Sequence, residues 1–170
     1  MVLDINDWKF DIDLTATMTY SAAETAEHCD CAYCRNFYAA VDDVYPNLRP
    51  FLAQFGLDIE APDELMPYDN EKQLWYDGVY AVSGKILSAG LSELVCDGLL
   101  IHPKQENEHE LHINVGCPEP RFLLDVGSFI LPWVLDEPMK DVISPANFPS
   151  FLKKMWYKLL NRQPKDEITS

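Results

Sequence analysis

The run AEHCDCAYCRNFY, residues 26–38, places Cys29, Cys31 and Cys34 within six positions, with His28 adjoining. Thiolate sulfur and imidazole nitrogen are the usual ligands of zinc, and a structural zinc site is closed by four of them in a tetrahedron. C-x-C-x-x-C supplies three sulfurs to one ion if the backbone breaks near Asp30. Asp30 is a residue type that caps a helix starting at Cys31. Cys31 and Cys34 then lie one turn apart on one face, and Cys29 reaches in from the extended side. The fourth ligand is then His28, or one of Cys96, Cys117, His102 and His112 farther along the chain. Zinc is the candidate cofactor. If residues 22–45 form one unbroken helix instead, Cys29 sits about 140° around from Cys34 and the thiols do not converge.

Two other readings compete for the same residues. Cys31 and Cys34 form a C-x-x-C pair, and a thiol at a helix N-terminus is acidified by the positive end of the helix. The CAYC tetrapeptide resembles the C-P-Y-C of glutaredoxins, which implies thiol–disulfide chemistry at Cys31 and Cys34. That resemblance covers four residues, and SAAETAEHCD precedes them where the thioredoxin-like fold has a buried strand. The third reading is packing. Cys31, Cys34, Phe37, Tyr38, Val41 and Tyr45 recur at steps of three and four, and free cysteine is a common core residue. Packing explains Cys31 and Cys34 but leaves Cys29 and His28 over.

The elements around the cluster follow from periodicity. Residues 8–20, WKFDIDLTATMTY, alternate apolar and polar throughout, which predicts a long strand with one buried face. Ser21 and Glu24 form an S-x-x-E capping box that opens a helix. The apolar stripe from Cys31 runs to Tyr45, and Pro46 stops it. A second helix, over Leu48 to Phe55, has Asn47 as N-cap and Gly56 at its end. Residues 57–73 carry six acids and two prolines and read as a loop. Strand-like runs follow in QLWYDGVYAVSGKIL, ELVCDGLLIHP, ELHINVG and RFLLDVGSFILPWVL. FLKKMWYKLLNR, residues 151–162, has the pattern of an amphipathic helix, and residues 164–170 form a polar tail. The expectation is a single α+β domain over 1–170. Its antiparallel sheet has about five strands. An N-terminal helix pair and a C-terminal amphipathic helix pack mainly on one face.

Composition narrows the function classes. The chain has 170 residues, 48% hydrophobic and 24% charged, which suits one folded domain. Its 28 acids against 13 bases give a net charge of -15. That surface repels nucleic-acid phosphates and anionic membranes, so the partners expected are a basic protein or a second copy of the chain. The N-terminus has no signal-peptide pattern and no apolar run reaches a membrane-spanning length. Five cysteines, three of them within six positions, suit a reducing cytoplasm better than a disulfide framework. HELH at 109–112 is one residue short of the H-E-x-x-H zinc motif and reads as an exposed strand end. Asp77, Asp97 and Asp125 lie in apolar runs beside glycines, where turns or bulges account for them. No nucleotide-binding or serine-hydrolase motif is present.

The run from Cys29 to Pro67 carries C-x-C-x-x-C-R-N-F, a Y-P-x-L helix junction and a G-L-D-I-x-x-P-x-E-L-M-P exit. It resembles a family of small acidic hypothetical proteins of gut Firmicutes. The resemblance covers about a quarter of the chain and implies a bacterial, cytoplasmic source. It brings no activity with it. The expected function is a non-enzymatic binding or interaction protein whose cysteine cluster holds structural zinc. The alternative is a thiol redox protein or a metal-dependent enzyme using Cys31 and Cys34.

Overall fold

A computed structural model describes residues 1–26, 29–69, 74–105 and 116–139. It is an α+β fold in which seven strands, all paired antiparallel, and three helices lie among the described residues. The strands are β1 (Val2–Ile5), β2 (Trp8–Ile12), β3 (Glu64–Asp69), β4 (Leu74–Ser88), β5 (Leu94–Cys96), β6 (Leu99–Gln105) and β7 (Arg121–Leu131). The helices are α1 (Leu14–Ala26), α2 (Ala32–Val44) and α3 (Leu48–Ala53). The sheet order is β1-β2-β4-β7-β6-β5, with β3 added against β4.

β4 is the spine. Leu74 to Ser83 pair with β7, Leu74 to Val79 also pair with β3, and the far end from Gly84 to Ser88 pairs with β2. The change of partner falls at Gly84, whose φ of +149 and absent side chain let the β2 backbone come close. Alternation along β4 feeds two clusters on opposite faces. Tyr76, Tyr80 and Val82 enter the main core with Phe10, Phe37, Leu48, Leu52, Phe122 and Phe129. Val79 and Ala81 meet Cys117 and Leu123 in a smaller cluster, on which Tyr20 of α1 packs.

Several expectations need correction. Residues 8–20 are not one strand: β2 ends at Ile12 and α1 begins at Leu14. Asp13 makes the switch, because its carboxylate accepts the Ala16 amide at 3.0 Å and so caps the helix start. The threonines, which favour strands, are absorbed by back-bonding: Thr17 donates to Asp13 O and Thr19 to Thr15 O, each at 2.9 Å. Ser21 therefore lies inside α1 rather than at a helix start, and three helices replace the expected pair. Seven strands lie among the described residues where about five were expected. Residues 64–69 are strand β3 rather than loop: they pair antiparallel with Leu74–Val79 of β4, with Pro67 opposite Tyr76. ELVCDGLLIHP is a hairpin, not one strand. Asp97 (φ 50) and Gly98 (φ 82) form its two-residue turn between Cys96 and Leu99. Among the described residues β5 pairs only as far as Ile101 of β6, and Pro103 lies beyond it, opposite Leu124 of β7. The ELHINVG strand, His109, His112 and the helix expected over 151–162 lie outside the described residues.

Buried carboxyls give the fold a pH dependence. Asp63 accepts the Tyr20 hydroxyl at 2.5 Å and the Ala81 amide at 2.7 Å. Asp77 sits at the β4 bulge and accepts the Tyr68 hydroxyl and the Ser128 amide, both at 2.7 Å. Burial raises the carboxyl pKa of both, and of Glu64 on β3. A raised folded-state pKa contributes stability that is complete below the unfolded value, about 4, and is lost as pH rises through the folded value. Asp7 opposes this, since the Leu91 amide at its carboxylate lowers its pKa, but it is fully exposed. Chemical denaturation midpoints are therefore expected to rise as pH is lowered from 7 toward 5. Falling self-repulsion in a chain of charge -15 acts in the same direction. A midpoint that falls steadily over that interval contradicts the assignment.

Candidate metal centre

The backbone does break before the cysteines. α1 ends at Ala26, and α2 starts at Ala32 with Cys31 as its N-cap. Cys31 has extended dihedrals (φ -70, ψ 155), and its Sγ accepts the Cys34 amide at 3.5 Å. The cap is thus the thiol of Cys31 rather than the carboxylate of Asp30, one residue later than expected. Sulfur is a weak acceptor, so this cap leaves Cys31 free to bind something else.

The first turn of α2 is held firmly. Asn36 is fully buried and spans three groups: its Nδ2 donates to Pro132 O at 3.0 Å and to the Tyr76 hydroxyl at 3.3 Å, and its Oδ1 accepts the Val134 amide at 2.8 Å. The Tyr76 hydroxyl donates in turn to Tyr33 O at 3.0 Å. Phe37 packs edge-on against Phe129 with ring centroids 5.2 Å apart, and Tyr33 meets Trp133 at 5.7 Å. Arg35 joins the segment ahead of the helix to the segment after β7. Its guanidinium donates to the backbone and carboxylate of Asp30 and to Glu137. The anchors join Tyr33–Phe37 of α2 to Tyr76 of β4, Phe129 of β7 and the segment Pro132–Glu137.

On this platform the Sγ atoms of Cys29, Cys31 and Cys34 all lie within 4.8 Å of one another. A tetrahedral zinc ion with bonds of about 2.3 Å sets its sulfurs about 3.8 Å apart. Each sulfur therefore needs at most about 1 Å of travel, a side-chain rotation. Cys29 and Cys31 are exposed and Cys34 is buried, so an ion in this clip has a protein side and an open side. Cys96 belongs to the main core and Cys117 to the smaller cluster, where its thiol donates to Ala81 O at 3.8 Å. His102 on β6 is in register with Asp125 on β7. None of the three joins the thiol group among the described residues, which removes them as fourth ligands. His28 lies outside the described residues.

The two helix thiols differ in acidity. Burial is the largest single influence on Cys31 and acts to raise its pKa. The Cys34 amide, the Cys34 and Cys29 thiols and the Tyr33 amide together outweigh it, and the net direction is down. Burial pushes Cys34 up, and the neighbouring Cys31 and Cys29 thiols push it further. Tyr38 is raised by burial first and then by the charge of Cys34 and Cys29, which places its phenol within their field. A thiol must lose its proton to ligate a cation, so cation binding here releases protons.

The sequence reading identified the three thiols but missed the residues that fix them. Asn36 and Arg35 stand beside the cysteines as polar interruptions of the α2 stripe, which is the only local signal of their role. Their partners at Pro132, Val134 and Glu137 are about a hundred residues away and carry no signal at all. No family model, no curated protein and no solved structure matches the chain. No helix among the described residues is long and apolar enough to cross a membrane.

Proposed function

We propose that the chain is a non-enzymatic binding protein. Its Cys29–Cys31–Cys34 clip holds a soft divalent cation, zinc foremost, which ties the end of α1 to the start of α2. The observation that carries this reading is the approach of all three Sγ atoms to within 4.8 Å of one another. Packing alone explains a buried Cys34, but it does not bring two exposed thiols to the same point. Zinc suits thiolate ligands, and the positive end of α2 favours the net negative charge that three thiolates leave on a divalent ion. His28, next to Cys29 in sequence, is the protein ligand proposed to close the tetrahedron. Thiols of this kind persist in a reducing compartment, which supports a cytoplasmic setting. The charge of -15 supports a basic partner for the rest of the surface.

A second reading, thiol redox exchange at Cys31 and Cys34, is favoured by one observation. The N-terminal thiol, Cys31, is exposed and the C-terminal thiol, Cys34, is buried, an arrangement that favours the thiolate at Cys31 over that at Cys34.

Metal content and free thiols measured on protein purified without a histidine tag separate the two. One zinc per chain, lost in Cys29→Ser, is the expected result. A metal-free protein whose five thiols stay unreactive, or a Cys29→Ser variant with unchanged metal content, would overturn the metal reading.

A further inference from the structure

We propose that the clip is a peroxide-responsive switch: oxidation joins Cys31 to Cys34 in a disulfide and releases the bound cation. This inference rests on the metal reading above.

The geometry selects the pair. Positions three apart in the first turn of a helix have Cα atoms about 5 Å apart, inside the range of roughly 4.4–6.8 Å that a disulfide spans. Cys29 lies ahead of the helix, two positions before the Cys31 cap and outside that turn. Access selects the attacking sulfur. Cys31 is exposed at the mouth of the clip, whereas Cys34 is buried behind it. The second sulfur is already within 4.8 Å.

The step balances with hydrogen peroxide as oxidant. The Cys31 thiolate attacks one peroxide oxygen, the O–O bond breaks, and hydroxide leaves with the electron pair, giving a sulfenic acid at Cys31. The Cys34 thiolate then attacks the Cys31 sulfur, the S–O bond breaks, and a second hydroxide leaves. Two sulfurs have lost two electrons and the peroxide has gained them. The cation keeps only Cys29 among the three sulfurs. With His28, the fourth ligand proposed above, that leaves two of four ligands, too few to hold zinc against solvent, so the ion departs unchanged in oxidation state. The rest of the core is insulated from this chemistry. Cys96 and Cys117 are buried, in two different clusters.

The test uses full-length protein loaded with zinc and titrated with hydrogen peroxide beside a zinc-sensitive dye. The expected result is one zinc released per two thiols lost. Alkylation and fragmentation should then place the remaining thiols at Cys29, Cys96 and Cys117. Dithiothreitol should restore the ability to rebind zinc. A Cys96→Ala variant should release zinc at the wild-type rate within about twofold. Failure to bind zinc before peroxide is added overturns the metal reading and this inference with it. Zinc that is bound but retained after two thiols are lost overturns the switch alone. So does a disulfide that includes Cys29, or release with no disulfide formed.

Discussion

Gly84→Ala is expected to be the most damaging single methyl group that can be added to the described fold. A Cβ at Gly84 would lie 2.2 Å from the carbonyl oxygen of Asp11 and 3.0 Å from the Cα of Ile12. Both contacts are backbone, so no rotamer change relieves them. They lie in the ladder where β4 leaves β7 and takes up β2, and where the Gly84 amide also donates to Pro120 O at 2.6 Å. The residue also has a φ of +149, which L side chains rarely adopt. Overpacking of a fixed wall and an unfavourable backbone region each cost about 1–3 kcal/mol, so together about 4 kcal/mol is expected. That is a large share of the 5–15 kcal/mol a domain of this kind possesses. Gly98→Ala is the internal control. Gly98 also has positive φ (+82), but a Cβ there meets nothing within 4 Å. It should cost only the backbone term, about 1–2 kcal/mol. Urea unfolding of both variants measures the difference, and equal losses would show that the close approach of β2 to Gly84 is wrong.

The second large effect is on the cation. Zinc bound only by the folded chain stabilises it by about 4 kcal/mol at a free concentration a thousand times the Kd. Cys34→Ala removes the buried thiolate from the clip and is expected to weaken zinc binding by about 100-fold or more, since even indirect supports of a metal site cost 10–100-fold. The variant also loses packing, because Cys34 is 7% exposed. The informative quantity is therefore the zinc-dependent shift in stability, measured with and without a chelator, and not stability itself. Wild type should show the shift and Cys34→Ala should lose it. If the variant keeps a wild-type zinc-dependent shift, Cys34 is a packing residue and nothing more.

The two helices after the cysteines were legible because their signals are local. The stripe through Phe37, Val41 and Tyr45 and the stop at Pro46 lie within a few residues of what they specify. α3 does begin after Asn47, but that side chain donates to Asp97 instead of capping, and the helix ends at Ala53, three residues before Gly56. α1 was not legible. Thr15, Thr17 and Thr19 alternate with Ala16, Met18 and Tyr20 as a strand would, and only the carboxylate of Asp13 marks the turn into a helix. β3 was hidden by Pro62, Pro67 and a run of acids. Those residues read as loop, but Glu64–Asp69, Pro67 included, pair with β4, a partner that no local pattern announces. The thiol cluster lay on the page as spacing, but whether it converged depended on a break between Ala26 and Ala32 that no glycine or proline announces. The long-range bonds of Asn36 to Pro132 and Val134 make that break firm, and no local pattern contains them.

Zinc-edge X-ray absorption on the untagged, zinc-loaded protein tests the central claim most directly. Three sulfur scatterers at about 2.3 Å, with a lighter nitrogen or oxygen neighbour completing the shell, are the predicted result. A shell of nitrogen and oxygen with one sulfur or none would contradict it.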